Sequence, residues 1–577
     1  MKARLAVYTN ADDALLQWTV DALDDDVIGF AVQRRLTGNG RARAVVEFLD
    51  NYAPPGPASH QSGRHEPSDA RPFRTFSWTD HGVDPGDGVS YRVIPVVAGA
   101  PQLREDAASV WSRSVTVGAK GASPFTPSFN RGFVISQFIS RYLAQRYPDI
   151  TDRVAALKQF KSDISTDVEN QIRAFLSGQV RQAMLRLLDD VRHSKGQLYA
   201  ALFELADEEL LAALEKLGAR AHVVLANGSI QPEEGVPVAE SRKSDENKAA
   251  RTRLRTAGAD VEDANRFVSP GALAHNKFLV VTDAAGKATR AWTGSTNWTT
   301  TGLCTQLNNG LLINNAAVAD LYLRQWHALR DAGSEHPRSL SLANSTPGEV
   351  SGRGRVRTSV HFTRAQKRVD LAALGEIVAG AKQGVLFLMF IPGASGAFAN
   401  VKALMAAQPD LLVRGVVSDL PNGRADEQTG RTTTVRVNLV GGPPEVSGAR
   451  TYDVVQPRNM KFVAAGWAEE TTRQQFKSAI GFAIIHSKVL VVDPFSADPT
   501  VVTGSHNFSI AASEDNDENF IVVRGDHALA RAYAVNVESA WRHYAARAGK
   551  PYPKLSGIQY LRQLLADQQA QQGFWGL

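Results

Sequence analysis

At 577 residues the chain exceeds what one compact core holds, and its length fits about three or four domains. A hydrophobic content of 43% with 21% charged residues excludes a disordered or fibrous chain. The net charge of +5 is small for this size and selects no partner by itself, while a single cysteine, Cys304, excludes intrachain disulfides. Cys304 sits among small polar residues with no histidine or acid in motif spacing, so it reads as a buried or neutral thiol. The opening MKARLAVYTNADDALLQW has no apolar core of a signal peptide. The run GVLFLMFIPGASGAF is too short and too Gly/Pro-broken to span a bilayer. The expectation is a soluble protein, cytoplasmic or exported without an N-terminal signal.

In chain order, residues 1 to about 118 read as an all-β sandwich. Alternating runs at ALLQWTV, IGFAVQRRL, FRTFSWTD, VSYRVIPVV and SVWSRSVTV are separated by Gly, Pro and Asp clusters. Trp18 in an early run and Tyr91 after PGDGVS resemble the core tryptophan and tyrosine corner of fibronectin type III domains. APPGPASHQSGRHEPSD reads as a polar hairpin insertion whose His60 and His65 lack metal-ligand partners at useful spacing. Residues 119–195 are predicted as a linker, GAKGASPFTPS, and then a helical segment with three-and-four periodicity packed on the domain that follows. Acids scattered through that segment favour packing over a helix lying on a membrane.

From Gly196 the pattern becomes strand, helix, strand: QLYAALFEL, DEELLAALEKLG, ARAHVVLANG. GVLFLMFIP, AFANVKALMAAQ and DLLVRGVVSDL repeat it later, which predicts two α/β lobes, 196–340 and 341–577, each with a buried sheet flanked by helices. SLANSTPGEVSGRGR, rich in Ser, Gly and Pro, reads as the connection between them. Two polar segments, 229–253 and about 424–438, read as long surface loops beside the motifs, able to shape access or simply solvated.

One phrase occurs in both lobes. HNKFLVV, AWTGSTNW and QLNNGLLI are answered by HSKVLVV, VVTGSHNF and NDENFIVV. The histidines lie 211 residues apart (275 to 486), the asparagines 210 apart (297 to 507), and Asn308 and Glu518 again 210 apart. Alternation along a strand sets His275 and Lys277 on one face, and likewise His486 and Lys488. A hairpin then returns Ser295 and Asn297, or Ser505 and Asn507, to the same end. Two imidazoles, two ammonium groups and two amides in one pocket suit phosphodiester cleavage. The cations and amides hold non-bridging oxygens, one imidazole attacks phosphorus, and the other protonates the leaving oxygen.

These residues resemble the phospholipase D superfamily, whose signature is HxK, a downstream Asp, and GSxN, present twice. His486, Lys488 and Asp493 keep the family spacing. In the first copy Thr282 stands where the acid belongs and Asp283 follows it. Both hairpin turns, DAAGKATR and DPFSADPT, are longer than usual, and Asp283 and Asp493 are read as structural turn residues. The resemblance implies catalysis without metal or cofactor through a covalent phosphohistidine. It also implies that the residue eleven after each motif asparagine contacts the histidine of the other half, so Glu518 would meet His275 and Asn308 would meet His486. A carboxylate on the second imidazole nitrogen raises basicity, which makes His275 the expected nucleophile and His486 the general acid, with swapped roles as the alternative. Ser295 and Ser505 are candidate phosphate donors or the small residues the turn requires. Trp298 and Phe508 are candidates to line the pocket or to pack beneath it, and Asn130 and Arg131 to reach it.

Three functions compete: a phospholipid phosphodiesterase or phosphatidyl transferase, a nuclease or nucleic-acid end-processing phosphodiesterase, and a binding protein with a dead site. Intact residues in both copies oppose the last. Two motifs in one chain suit the lipid reading and a monomer, and no basic, aromatic-interleaved groove favours nucleic acid. Without a spanning segment, cardiolipin-synthase-like chemistry within a membrane is disfavoured. Association with a membrane surface remains open, and the β-sandwich appendage fits docking or spacing.

Overall fold

The computed structural model describes residues 1–53, 64–99, 102–118, 121, 123–132, 142–143, 145–352, 354–392, 396–408, 410–418, 422–425, 432–434, 453–455, 485–548 and 555–577. His60 and most of the 424–438 segment fall outside them.

The N-terminal region is a two-sheet antiparallel sandwich. Ala3–Thr9, Ala14–Val20 and Ser77–Asp80 form one sheet; Val115–Thr116, Asp87–Val97, Val27–Gly38 and Val45–Phe48 form the other in that order, with Gln102–Leu103 beside Asp87–Val97. Ala3–Thr9 and Val45–Phe48 were not among the expected strands, being partly exposed edge elements with little apolar alternation. Trp18, Phe30, Val32, Val89 and Tyr91 fill the core. The buried Tyr91 hydroxyl donates to Asp80 at 2.9 Å, which ties the two sheets by a satisfied polar contact. The sandwich is not a loose appendage. Leu561 and Leu565 of the C-terminal helix Gly557–Ala570 complete its core, and Gln568 donates to Gln17 at 3.2 Å. Tyr8 stacks near Phe495, in the long hairpin turn of the second motif, with ring centroids 4.1 Å apart, and Arg131 pairs with Asp12 at 3.0 Å.

The remainder is built on two mixed sheets of one topology. The first runs Phe125–Phe129, Asn309–Ile313, Ala288–Gly294, Lys277–Thr282, Leu198–Leu202, Ala221–Leu225, Asp260–Val261. The second runs Gly348–Ser351, Arg357–Phe362, Asn519–Arg524, Thr500–Gly504, Val489–Val492, Gly384–Met389, Leu412–Val417, Asp453–Val455. Setting aside Gly348–Ser351, the strands correspond one to one. Phe125–Phe129, read as linker from the sequence, is thus an edge strand of the first sheet. Its Pro127 costs little there because an edge strand has one unpaired side.

Both sheets are covered on both faces, which explains the unbroken apolar runs after each HxK. Phe278, Val280, Leu311 and Ile313 pack toward Leu388, Val489, Val491 and Ile521 in one cluster shared by the lobes. The alternate residues Leu279 and Val281 face Leu176, Val180, Met184 and Leu187 of the helix Gln171–His193, so this helix's apolar stripe is buried in lobe 1. Leu490 and Val492 face helices Val369–Ala379 and Ala397–Ala407. Among the described residues no helix is long and apolar enough to cross a membrane.

The 229–253 segment differs from a solvated loop. The helix Lys248–Thr256 begins within it, and Asn247 and Arg251 are buried. Arg251 donates to the carbonyls of Leu225 and Ala226 at 2.9 and 3.1 Å. Its polar side chains satisfy strand-end carbonyls, so a polar sequence serves an interior role.

Candidate active site

His275 and His486 sit just before the strands Lys277–Thr282 and Val489–Val492, where the two sheets meet. Their rings are 6.3 Å apart between centroids and cross at 72°. That leaves room for one phosphorus with near-attack contacts of about 3 to 3.5 Å on either side. Each lobe supports the other lobe's histidine segment. The backbone N–H groups of His486 and Ser487 both donate to the Leu307 carbonyl at 2.9 Å, and Asp517 N–H donates to the Leu273 carbonyl at 2.8 Å. Asp517 is further held by Arg266 at 3.0 and 2.5 Å, inside the protein.

The second nitrogens of the two imidazoles meet different partners. His275 Nδ1 lies 2.9 Å from Glu518 Oε2. His486 Nδ1 lies 3.0 Å from both the Ser295 carbonyl and Asn308 Oδ1. The two partners of His486 accept, so its Nδ1 carries the proton and its Nε2 keeps a lone pair, and Glu518 sets His275 the same way when ionised. Asn308 is itself oriented: its amide donates to the Gly302 carbonyl at 2.8 Å, and its backbone N–H donates to Asn130 Oδ1 at 2.7 Å. Asn130 therefore acts on the site through Asn308, whereas Arg131 turns away to Asp12.

Burial disfavours every charged form here. It pushes both imidazoles well below the ordinary histidine range, with the two ammonium groups adding to the effect. Burial lowers the Lys277 ammonium to about 7 and depresses Lys488 as well, while it raises the Glu518 carboxyl to about 8. Each lysine donates to the carbonyl of its own motif histidine, Lys277 at 2.7 Å and Lys488 at 2.6 Å. Each also sits over an aromatic face: Lys277 4.9 Å from the Phe203 centroid and Lys488 5.4 Å from that of Phe390. The same two rings meet the histidines edge-on, at 4.8 and 5.4 Å. Sequence reasoning missed this pair, although each follows the strand that opens its lobe's strand–helix–strand unit, in the echoing phrases LYAALFEL and GVLFLMFIP.

The GSxN segments are shaped by close approach. A Cβ on Gly294 would lie 2.3 Å from the Asn309 carbonyl oxygen, and one on Gly504 2.3 Å from that of Asn519. Ser295 donates to Asn308 at 2.7 Å and accepts from Asn309 N–H at 3.1 Å; Ser505 accepts from Asn519 N–H at 3.1 Å. These hydroxyls brace the adjoining strand. Asn297 donates to Glu204 at 2.7 Å, and the side-chain oxygens of Asn297 and Asn507 are buried with no partner among the described residues. Two residues later Thr299 and Ser509 cap short helices through Gly302 N–H and Ala512 N–H, which holds each asparagine at a helix start. Trp298 and Phe508 are buried in the cores of lobes 1 and 2, packing under the motifs and not lining the cleft. Asp283 accepts from Ala285 and Lys287 N–H within its own turn. Asp493 accepts from the N–H groups of Lys382, Gln383 and Gly384 at 2.9, 2.7 and 2.9 Å, at the entry to a neighbouring strand.

Behind the site runs a symmetric lock. Asn309 donates to Thr503 at 2.7 Å and to Tyr533 at 2.9 Å; Asn519 accepts from Thr293 at 2.6 Å and from Tyr322 at 3.3 Å. Both asparagines are fully buried at the lobe interface.

Fold and site together form a bilobal α/β body with a paired His/Lys/Asn cluster where its two sheets meet. Residues 187–330 and 431–541 match the family described as "Cardiolipin synthase, PLD-like domain", and these two segments hold both motifs. No curated protein matches the chain. Among solved structures, phosphatidylserine synthase of Haemophilus influenzae Rd KW20 is 13% identical, covering 68% of this chain and 92% of that one with a TM-score of 0.38. Polyphosphate kinase of Porphyromonas gingivalis is 11% identical (94% and 77% covered, TM-score 0.39). Nuc of Salmonella typhimurium, a phospholipase D family member, is 17% identical (33% and 96% covered, TM-score 0.19). Likenesses this low decide nothing about the reaction.

Proposed function

We propose that the chain is a metal-independent phosphodiesterase of phospholipase D type that hydrolyses phospholipids, or transfers the phosphatidyl group, through a phosphohistidine. The observation that carries this reading is the cross-lobe arrangement in which His275 leans on the Glu518 carboxylate and His486 on the neutral Asn308 and a carbonyl. In the first step His275 Nε2 bonds to phosphorus as the bond to the leaving oxygen breaks, and His486 supplies that oxygen's proton. In the second, His486 takes a proton from water or an alcohol, whose oxygen displaces His275. Lys277, Lys488, Asn297 and Asn507 hold the non-bridging oxygens. Burial and, after it, the two ammonium groups disfavour the charged imidazoles, and the substrate's negative charge opposes both, which favours the acid form of His486. Glu518 keeps His275 oriented and basic. The fibronectin type III-like reading of the sandwich rests on Trp18 and Tyr91, and a single chain holding both motifs works as a monomer.

The test is a panel of phosphatidylcholine, phosphatidylethanolamine and phosphatidylglycerol vesicles, single- and double-stranded DNA, and RNA, each with chelator present. Head-group release that vanishes in His275→Ala supports the lipid reading. Nucleic-acid cleavage with silent lipids replaces it, and activity lost to chelator overturns the metal-free mechanism.

A further inference from the structure

A second cluster of basic side chains lies outside the His/Lys/Asn pocket, around Asp517 at the lobe seam. Arg266 uses one oxygen of that carboxylate, donating to Oδ2 from Nε at 3.0 Å and from Nη2 at 2.5 Å. The same guanidinium donates to the Gly333 and Glu335 carbonyls, which sets His336 beside Asp517. His336 Nδ1 and Arg364 Nε approach the other oxygen, Oδ1, at 3.4 and 3.5 Å, neither with hydrogen-bond geometry.

The cluster holds more donors than acceptors. Both ring nitrogens of His336, and Nε and Nη2 of Arg364, are buried with no hydrogen-bond partner among the described residues. The His336 side chain is only 6% exposed, whereas that of Arg364 is 21% exposed, so the cluster is open to solvent on the Arg364 side. Charge is uneven as well. Although burial pushes the Asp517 carboxyl up, Arg266 and its neighbours hold it well below the ordinary carboxylate range, so its single negative charge is already committed. Burial lowers the Arg364 guanidinium; Asp517 and Asp515 oppose that shift, while Arg266 and the exposed Arg242 add to it. Glu514 does not help, being paired with Arg368 at 2.7 Å. A buried guanidinium without acceptors is costly, and its fork matches the oxygens of an oxyanion.

The cluster is fixed to the catalytic frame. Thr363, the residue before Arg364, donates to the Asn516 carbonyl at 2.7 Å and accepts from Glu518 N–H at 2.8 Å. Arg364 therefore rides on the same backbone that aims Glu518 at His275. We propose that Arg364 and His336, with Arg266 and Asp517 behind them, form a second oxyanion site that takes a phosphate group other than the one being cleaved. The choice of phosphate among oxyanions rests on the phosphodiesterase reading. The group is either a further phosphate on the substrate or free inorganic phosphate.

The experiment counts radiolabelled inorganic phosphate bound at equilibrium dialysis by the full-length protein, Arg364→Gln, Arg364→Lys and His336→Asn. Expected is one phosphate fewer on Arg364→Gln than on the unaltered protein, a count restored by Arg364→Lys, and binding about tenfold weaker at that site in His336→Asn. Equal counts on the unaltered protein and Arg364→Gln, none included, overturn the proposal. Should Arg364→Gln fail to fold, undiminished affinity in His336→Asn overturns it instead. A second arm compares the p-nitrophenyl ester of thymidine 5′-phosphate with and without a 3′-phosphate. A gain of about tenfold in kcat/KM from the extra phosphate, lost in Arg364→Gln, assigns the site to the substrate's own second phosphate; no gain, with the phosphate count still differing by one, assigns it to the free ion. Failure of the underlying reading looks different, since the unaltered protein would then cleave neither ester while the phosphate count still decides the site.

Discussion

The two lobes share a strand order, a motif and a lysine-over-phenylalanine contact, yet they are not interchangeable. The buried asparagine lock between the lobes is symmetric: Asn309 with Thr503 and Tyr533 on one side, Asn519 with Thr293 and Tyr322 on the other. The groups that touch or face the reacting atoms are not. Glu518 stands against Asn308. A duplicated frame keeps its interface because the same burial must be satisfied twice, while the proposed two-step displacement needs its two imidazoles to do different work.

The largest expected effect separates those imidazoles. His275→Ala should lower turnover by about 10^4-fold or more and abolish phosphoenzyme trapped by acid quench. His486→Ala should still form phosphoenzyme from a diester with an acidic leaving group such as p-nitrophenol, since such an oxygen leaves without a proton donor. Covalent intermediate persisting in His275→Ala would reverse the assignment.

Next come the partners. Glu518→Gln should lower kcat by about 10- to 100-fold by withdrawing the carboxylate from His275. Asn308→Gln should cost less, because it displaces a neutral acceptor from His486 and removes no charge. Equal losses in steady-state kinetics would erase the functional difference between the lobes.

The pH profile tests the buried lysine. An ammonium group lowered to about 7 is charged below that pH and loses its proton above it. The kcat/KM for a phosphodiester should therefore fall as pH rises through about 7, well short of the roughly 10.4 of an exposed lysine. A profile flat to pH 9 would show that Lys277 stays charged in the free protein.

The smallest effect should be the most symmetric. Asn309→Ala and Asn519→Ala each strand buried hydroxyls, at a cost of about 1–3 kcal/mol apiece, read from denaturant midpoints. Markedly unequal shifts would mean that one lobe depends on the interface more than the other.

Much of the site was legible because HxK and GSxN are short-range patterns: strand alternation and one hairpin bring their side chains together wherever the strand lies. The contact of Glu518 with His275 was foreseen only through family resemblance, since no local rule links residues 243 apart. Phe203, Glu204 and Phe390 escaped notice because an apolar strand end has no polar signature, and a lone glutamate in LYAALFEL reads as a solvated boundary. The edge strand Phe125–Phe129 was hidden by its proline and its neighbouring linker. Asn247 and Arg251 looked like loop residues because their partners are backbone carbonyls of distant strands.

By itself, then, the sequence determined the duplication, the two α/β lobes, the sandwich before them, and which imidazoles, ammonium groups and amides would meet. Only the tertiary structure decided how the copies differ in use: which carboxylate lies beside Asn297, which aromatic rings carry the lysines, and how the C-terminal helix completes the N-terminal core. Those are contacts between residues far apart in the chain, set by packing of whole sheets, and local propensity has no term for them.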